Sequence, residues 1–203
     1  MHRITQLRRL ALVMALGAAL MMVVRDAVAH RSAPPSLPRY GRLPDVALTD
    51  HQERPMTLST LKGSVWIADF MLTRCAGQCP LMSAQMAMLQ RELQDVREVQ
   101  LISFSVDPSY DTPQRLAAYA AHWGADASRW RFVTGDPDAM TRLIQTGFHL
   151  AVGPGESARE PMTHSTRLVL VDRQGAMRGY YEVGDAPALR KLREDARRLA
   201  RER

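Results

Sequence analysis

The chain of 203 residues contains only two cysteines, Cys75 and Cys79, in the run Thr73-Arg74-Cys75-Ala76-Gly77-Gln78-Cys79-Pro80. Thiols at this spacing can meet within disulfide range. As thiolates they attack disulfides and bind soft metal ions. The bland alternative is a structural disulfide or two inert buried thiols. A cross-link stabilises mainly by closing a long loop, and this pair closes almost none. Redox or metal chemistry is therefore the preferred reading. Pro80 suits the first turn of a helix, where its missing N–H costs nothing. Cys79 is thus expected at a helix N-terminus, whose partial positive charge favours thiolate over thiol.

A third group comes from far along the chain. His164, in Met162-Thr163-His164-Ser165, follows a Gly/Pro stretch from Gly153 to Pro161 and precedes an apolar run. Two thiolates and an imidazole suit Cu(I) above all, with Zn(II) as the alternative, and do not suit magnesium or calcium. His51, His122 and His149 have no comparable context and read as structural or surface residues. Asp107 and Asp111, in Asp107-Pro108-Ser109-Tyr110-Asp111-Thr112-Pro113, read as holders of a turn and a helix start. Met82, Met86 and Met88 offer thioethers, but Met82 and Met86 fall on the apolar stripe of the helix and read as packing.

The elements that must position these groups follow from apolar periodicity. Val65 to Leu72 reads as a buried strand that delivers the chain to the cysteines, with Asp69 the one acidic residue in it. Met82, Met86, Leu89, Leu93 and Val96 recur at helical spacing. Val99 to Val106 is a second buried strand. Thr112-Pro113 then starts a helix that Gly124 ends. Trp130 to Thr134 is a third strand, and Asp136-Pro137 starts a helix that runs to Gly147. Phe148 to Val152 is expected as a short strand, with Gly153 to Pro161 as a loop. Thr166 to Val171 and Met177 to Val183 form a hairpin around Asp172-Arg173-Gln174-Gly175, and Asp185 starts the last helix. This order is an α/β sandwich with a mixed sheet and flanking helices, and with the cysteine pair after the first core strand it suggests a thioredoxin-like fold. Ligands gather beyond the carboxyl ends of parallel strands. If the strand after His164 runs antiparallel to its neighbours, the histidine starts at that same edge.

Residues 1–29 read as a signal peptide or N-terminal membrane anchor. Arg3, Arg8 and Arg9 precede the apolar stretch Leu10 to Val24, and Ala27-Val28-Ala29 has the form of a cleavage site. Either way the remainder is expected to be exported, to the periplasmic side of the cytoplasmic membrane, anchored or released by cleavage near Ala29. That compartment is oxidising. Residues 30–42, with Pro34, Pro35 and Pro38, read as an extended linker, and residues 43–203 as one domain. Net charge is +6, but the basic residues are not interleaved with aromatics, so nucleic acid is not an expected partner. Arg190, Lys191, Arg193, Arg197, Arg198, Arg201 and Arg203 lie in the last helix, where a solvated face is preferred to a lipid contact.

Taken together, Thr73-x-Cys75-x-x-x-Cys79-Pro80, Asp107-Pro108-x-x-Asp111-Thr112-Pro113, and His164-Ser165 before Leu168-Val169-Leu170-Val171-Asp172 resemble the Sco/SenC family over about Pro44 to Tyr181. The resemblance implies a thioredoxin-like domain that binds copper, as Cu(I) or Cu(II), through Cys75, Cys79 and His164. It further implies a role in delivering copper to, or reducing the cysteines of, the binuclear copper site of cytochrome c oxidase. The partner would be the copper subunit of that oxidase or another exported copper or thiol protein. The chain departs from the family pattern at Thr163, where many members have Asp, and at Met71, where many have Gly.

Three functions follow as expectations. The first is a copper metallochaperone with a redox-active Cys75/Cys79 pair, able to form a disulfide. The second is a thiol–disulfide oxidoreductase or redox sensor that acts without copper transfer. The third, a thiol peroxidase, leaves His164 and the second cysteine without a task.

Overall fold

A computed structural model of the chain describes residues 14–26, 36–75, 77, 79–157 and 160–202. It divides into two units, Met1–Ser36 and Leu37–Arg203. In the first, residues 14–26 form helix α1, exposed throughout. Among the described residues no helix is long and apolar enough to cross a membrane. The basic start, the Ala27-Val28-Ala29 site and the first part of the Pro-rich stretch lie outside the described residues.

The second unit is built on a seven-stranded mixed sheet in the order β2-β1-β5-β4-β3-β8-β9. Its strands are β1 (Ala47–Asp50), β2 (Pro55–Thr57), β3 (Val65–Met71), β4 (Val99–Ser105), β5 (Trp130–Thr134), β8 (Arg167–Val171) and β9 (Met177–Glu182). The three central strands β3, β4 and β5 run parallel, whereas β1 and β8 flank them antiparallel. β3 is buried along its whole length, as its continuous apolar run requires of a strand covered on both faces.

The parallel strands are joined by α2 (Cys79–Glu92) and α3 (Pro113–His122). Asp69, Ser103 and Phe132 are lateral neighbours in the register and share one face. Tyr119 of α3 lies edge-on to Phe132, and Ser83 of α2 shares a hydrogen bond with the Tyr119 hydroxyl. α2 and α3 therefore cover that face together. α5 (Ala186–Arg201) lies beside α2, since Arg197 bonds Asp95 and the Glu92 carbonyl, and Arg193 pairs with Glu92. Lys191 pairs with Asp195 in the same helix. Much of the basic face of α5 is thus neutralised within the domain, in keeping with a solvated surface. On the opposite face Phe148 packs against Trp66, Phe70 and Phe104.

The helix starts follow from local chemistry. Thr112, Asp136 and Asp185 accept from the backbone N–H of Arg115, Ala139 and Ala188, with proline in each first turn. α3 ends on Gly124 at φ +64, where the missing Cβ makes the left-handed conformation cheap.

Two expectations are corrected between Arg142 and His164. α4 (Pro137–Arg142) passes into a π-helical turn, Leu143–Gly147, which drives Phe148 into the core. His149 then adopts φ 54, so no strand spans 148–152. The Gly/Pro stretch is not a loop but an antiparallel ribbon of β6 (Val152–Ser157) and β7 (Glu160–His164). A two-stranded ribbon consists only of edges, where proline can sit without breaking a ladder.

Residues 37–42, read as the end of the linker, pack on the domain. Tyr40 N–H donates to the Met177 carbonyl, and Arg178 donates to the carbonyls of Leu37 and Pro38. The same guanidinium pairs with Asp172 at 2.9 Å, both side chains being buried.

Candidate metal centre

The turn after β3 and the first residue of α2 supply the two cysteines, and β7 supplies the histidine. Their ligand atoms, two Sγ and one imidazole nitrogen, all lie within 4.8 Å of one another. Cys79 is the first residue of α2 and is fully buried, whereas Cys75 is partly exposed on the turn before it. The turn is closed by Cys75 N–H donating to the Leu72 carbonyl at 3.4 Å. His164 closes β7, paired with Val152 in the ribbon. Its Nε2 lies 3.0 Å from Cys79 Sγ. Its Nδ1 lies 3.1 Å from the Ser165 carbonyl oxygen, which can only accept, so Nδ1 carries the proton and Nε2 presents its lone pair to the sulfur.

Both cysteines are free thiols. The helix N-terminus was expected to favour thiolate at Cys79, but burial wins and pushes this thiol well above its ordinary value. The magnitudes decide it. A helix terminus is worth about 0.3–1 kcal/mol, while full burial shifts a titration by up to about 3–5 units, each about 1.4 kcal/mol. Held as a thiol by that burial, Cys79 can donate to the His164 Nε2 lone pair. A bound soft cation is what would turn it into a thiolate, because metal binding and proton release are linked.

The loop after β4 grips the turn that carries Cys75. The Asp111 carboxylate, fully buried, accepts from Thr73 Oγ1 at 2.5 Å, from Thr73 N at 3.2 Å and from Ser105 Oγ at 2.7 Å. Asp107 pairs with Arg74 Nε at 2.6 Å. Both guanidiniums of Arg74 and Arg115 lie over the Tyr110 ring, at 4.4 Å and 3.9 Å from its centroid. Sequence reasoning read Asp107 and Asp111 as turn and helix holders only. It missed Thr73, Arg74, Ser105 and Tyr110 as supports of the site, and the one signal for them was two carboxylates in a single short loop.

Beneath the pair lies a second feature. Asp69 is fully buried and neither carboxylate oxygen has a hydrogen-bond partner among the described residues. Burial raises its titration to about 7. Ser103, its register neighbour, uses its hydroxyl to accept the Trp130 indole N–H. Asp69 acts electrostatically on both Cys79 and Tyr119.

Three other histidines lie among the described residues. His51 is buried and its Nδ1 accepts from Phe132 N–H, His122 stacks edge-on to Trp123, and His149 is exposed. Met82 and Met86 are buried in the core, while Met88 is exposed. Among the described residues the Cys75, Cys79 and His164 group is the one metal-competent cluster of its kind.

The family model for SCO1/SenC matches residues 43–200. A Stutzerimonas stutzeri protein named as a candidate copper-binding protein is 31% identical over 86% of this chain and 86% of its own. Among solved structures, a SCO1/SenC family lipoprotein from Bacillus anthracis is 33% identical with a TM-score of 0.72, covering 78% of this chain and 95% of that one. BsSco, a member of the Sco family of cytochrome c oxidase assembly proteins in which a disulfide switch was identified, is 26% identical. Its TM-score is 0.74, covering 83% of this chain and 100% of that one.

Proposed function

The chain belongs to the SCO1/SenC family, and from that premise we propose that it is an exported copper metallochaperone whose cargo is held by Cys75, Cys79 and His164. The observation that carries this reading is the convergence of two sulfurs and one imidazole nitrogen within 4.8 Å from two distant parts of the chain. The donor set fits the cargo: soft thiolates and a borderline imidazole select copper in its reduced state over hard cations. The protein's own residues do the preparation. Ser165 fixes the His164 tautomer, α2 roots Cys79 in the core, and the Asp111–Thr73 contact steadies the turn of Cys75. The recipient we propose is the binuclear copper site of cytochrome c oxidase, supported by the oxidase-assembly role of the family to which BsSco belongs. Export is supported by the pattern of residues 1–29.

The test is copper titration of the reduced protein against a competing chelator, repeated after mild oxidation. Reduced protein takes up a single copper ion, and the Cys75–Cys79 disulfide takes up none, because oxidation removes both thiolates. Undiminished binding by the oxidised protein places the metal elsewhere and ends the reading.

A second reading is favoured by the two free thiols in one site, together with the disulfide switch of BsSco. In it the same pair reduces partner disulfides without carrying copper. This reading needs an attacking thiolate and a resolving thiol, but not His164.

A further inference from the structure

The geometry points to Asp111 as a positioning residue for Cys75. Through Thr73 it holds the turn at residues 72–75 in the open dithiol arrangement that receives a metal, and it resists closure to the Cys75–Cys79 disulfide. This rests on the reading of the pair as a metal-binding and redox-active site.

The bland role for Asp111, starting helix α3, is already taken. Thr112 caps that helix with its hydroxyl and Pro113 follows it. The Asp111 carboxylate instead reaches across to a turn 38 residues earlier in the chain, where it takes the Thr73 hydroxyl and the Thr73 backbone N–H. Its remaining bond comes from Ser105 Oγ, which also accepts from Asp107 N–H at 3.0 Å. The carboxylate is fully buried, where a hydrogen bond to a charged acceptor is strong and an unmade one is costly.

The two cysteines are not equally free to move. Cys79 is fully buried at the first position of α2 and lies 3.0 Å from His164. Cys75 is partly exposed on a turn whose closing hydrogen bond is long, at 3.4 Å. Thr73 is an interior residue of that turn. Bond formation requires the sulfurs to approach to about 2.05 Å, and they are unbonded here. Cys75 is therefore the partner that moves, and its movement strains the Thr73–Asp111 contact. A contact intact in the dithiol and strained in the disulfide favours the dithiol. In the redox step two thiols lose two electrons and two protons and form one S–S bond. A small-molecule disulfide gains them and opens to two thiols.

The experiment uses the full chain and three variants. Thr73→Val deletes the hydroxyl bond at constant shape. Asp111→Asn removes the charge. Thr112→Ala weakens the start of α3 without touching the Thr73 contact. Each is equilibrated in a dithiothreitol redox buffer, titrated with Cu(I) against a chromophoric chelator, and melted. Thr73→Val and Asp111→Asn are expected to shift the dithiol–disulfide equilibrium toward disulfide by about fivefold and to weaken Cu(I) binding. Thr112→Ala is expected to lower Tm and move neither. If Thr73→Val or Asp111→Asn lowers Tm but leaves both equilibria at parent values, the contact is only structural and the inference fails. If the parent binds no copper while the redox shift is still present, the positioning role stands and the copper reading falls.

Discussion

Cys79 Sγ and His164 Nε2 lie 3.0 Å apart although 85 residues separate them in the chain. The contact joins the first turn of α2 to the end of β7 and makes a three-donor group out of a cysteine pair. It also separates the two functional readings, because thiol exchange uses only the pair.

His164→Ala is expected to weaken copper binding while leaving Cys75 and Cys79 able to cycle. Loss of an outer-sphere partner already costs about 10–100-fold in metal affinity, so loss of a direct ligand costs at least that. Cys75→Ser and Cys79→Ser each remove both activities. Competition titration and reduction of a model disulfide are the measurements. Parent-like copper affinity in His164→Ala removes the histidine from the site.

Asp69 is expected to lower stability at neutral and alkaline pH. Its ordinary value is 3.8 and burial raises it to about 7 in the folded protein. The unfolded chain therefore releases this proton first, and stability is lost as pH rises from about 4 to about 7. The shift corresponds to on the order of 4 kcal/mol as an upper limit. Asp69→Asn should match the parent near pH 4 and exceed it at pH 8 in urea denaturation. A pH-independent difference between the two proteins contradicts this account.

His51 carries the opposite dependence. Burial holds its imidazole below the ordinary value of 6.5, and its Nδ1 must stay unprotonated to accept from Phe132 N–H. The unfolded chain takes up the proton first as pH falls, so this stabilisation is present above about 6.5 and is lost below it. His51→Gln should flatten the acid limb of the stability profile. An unchanged limb assigns the acid sensitivity to other groups.

Arg178 ties the segment before the domain to its sheet. The guanidinium holds Asp172 and the carbonyls of Leu37 and Pro38. Removing one partner of a buried pair costs about 3–5 kcal/mol. Arg178→Ala is expected to lose that much stability and to open residues 37–42 to limited proteolysis. Parent-like resistance to protease shows that the segment is held by Tyr40 and its neighbours instead.

What the sequence by itself determined was local. The apolar runs named β3, β4, β5 and β8, and the pairs Thr112-Pro113, Asp136-Pro137 and Asp185 with its following turn marked the helix starts. The placement of Cys75 and Cys79 between a buried strand and a helix was legible for the same reason: strand burial, proline at a first turn and capping act within a few residues. Tertiary structure decided the rest. It made a ribbon of the Gly/Pro stretch because a two-stranded edge tolerates proline, and so delivered His164 to Cys79. It buried Cys79, so that desolvation overrode the helix terminus, and it enclosed Asp69 with no carboxylate hydrogen-bond partner of normal geometry among the described residues. It turned Asp111 from a helix holder into a clamp on Thr73. Desolvation and contacts across tens of residues depend on which surfaces meet, and that is set only when the sheet and its covering helices have packed.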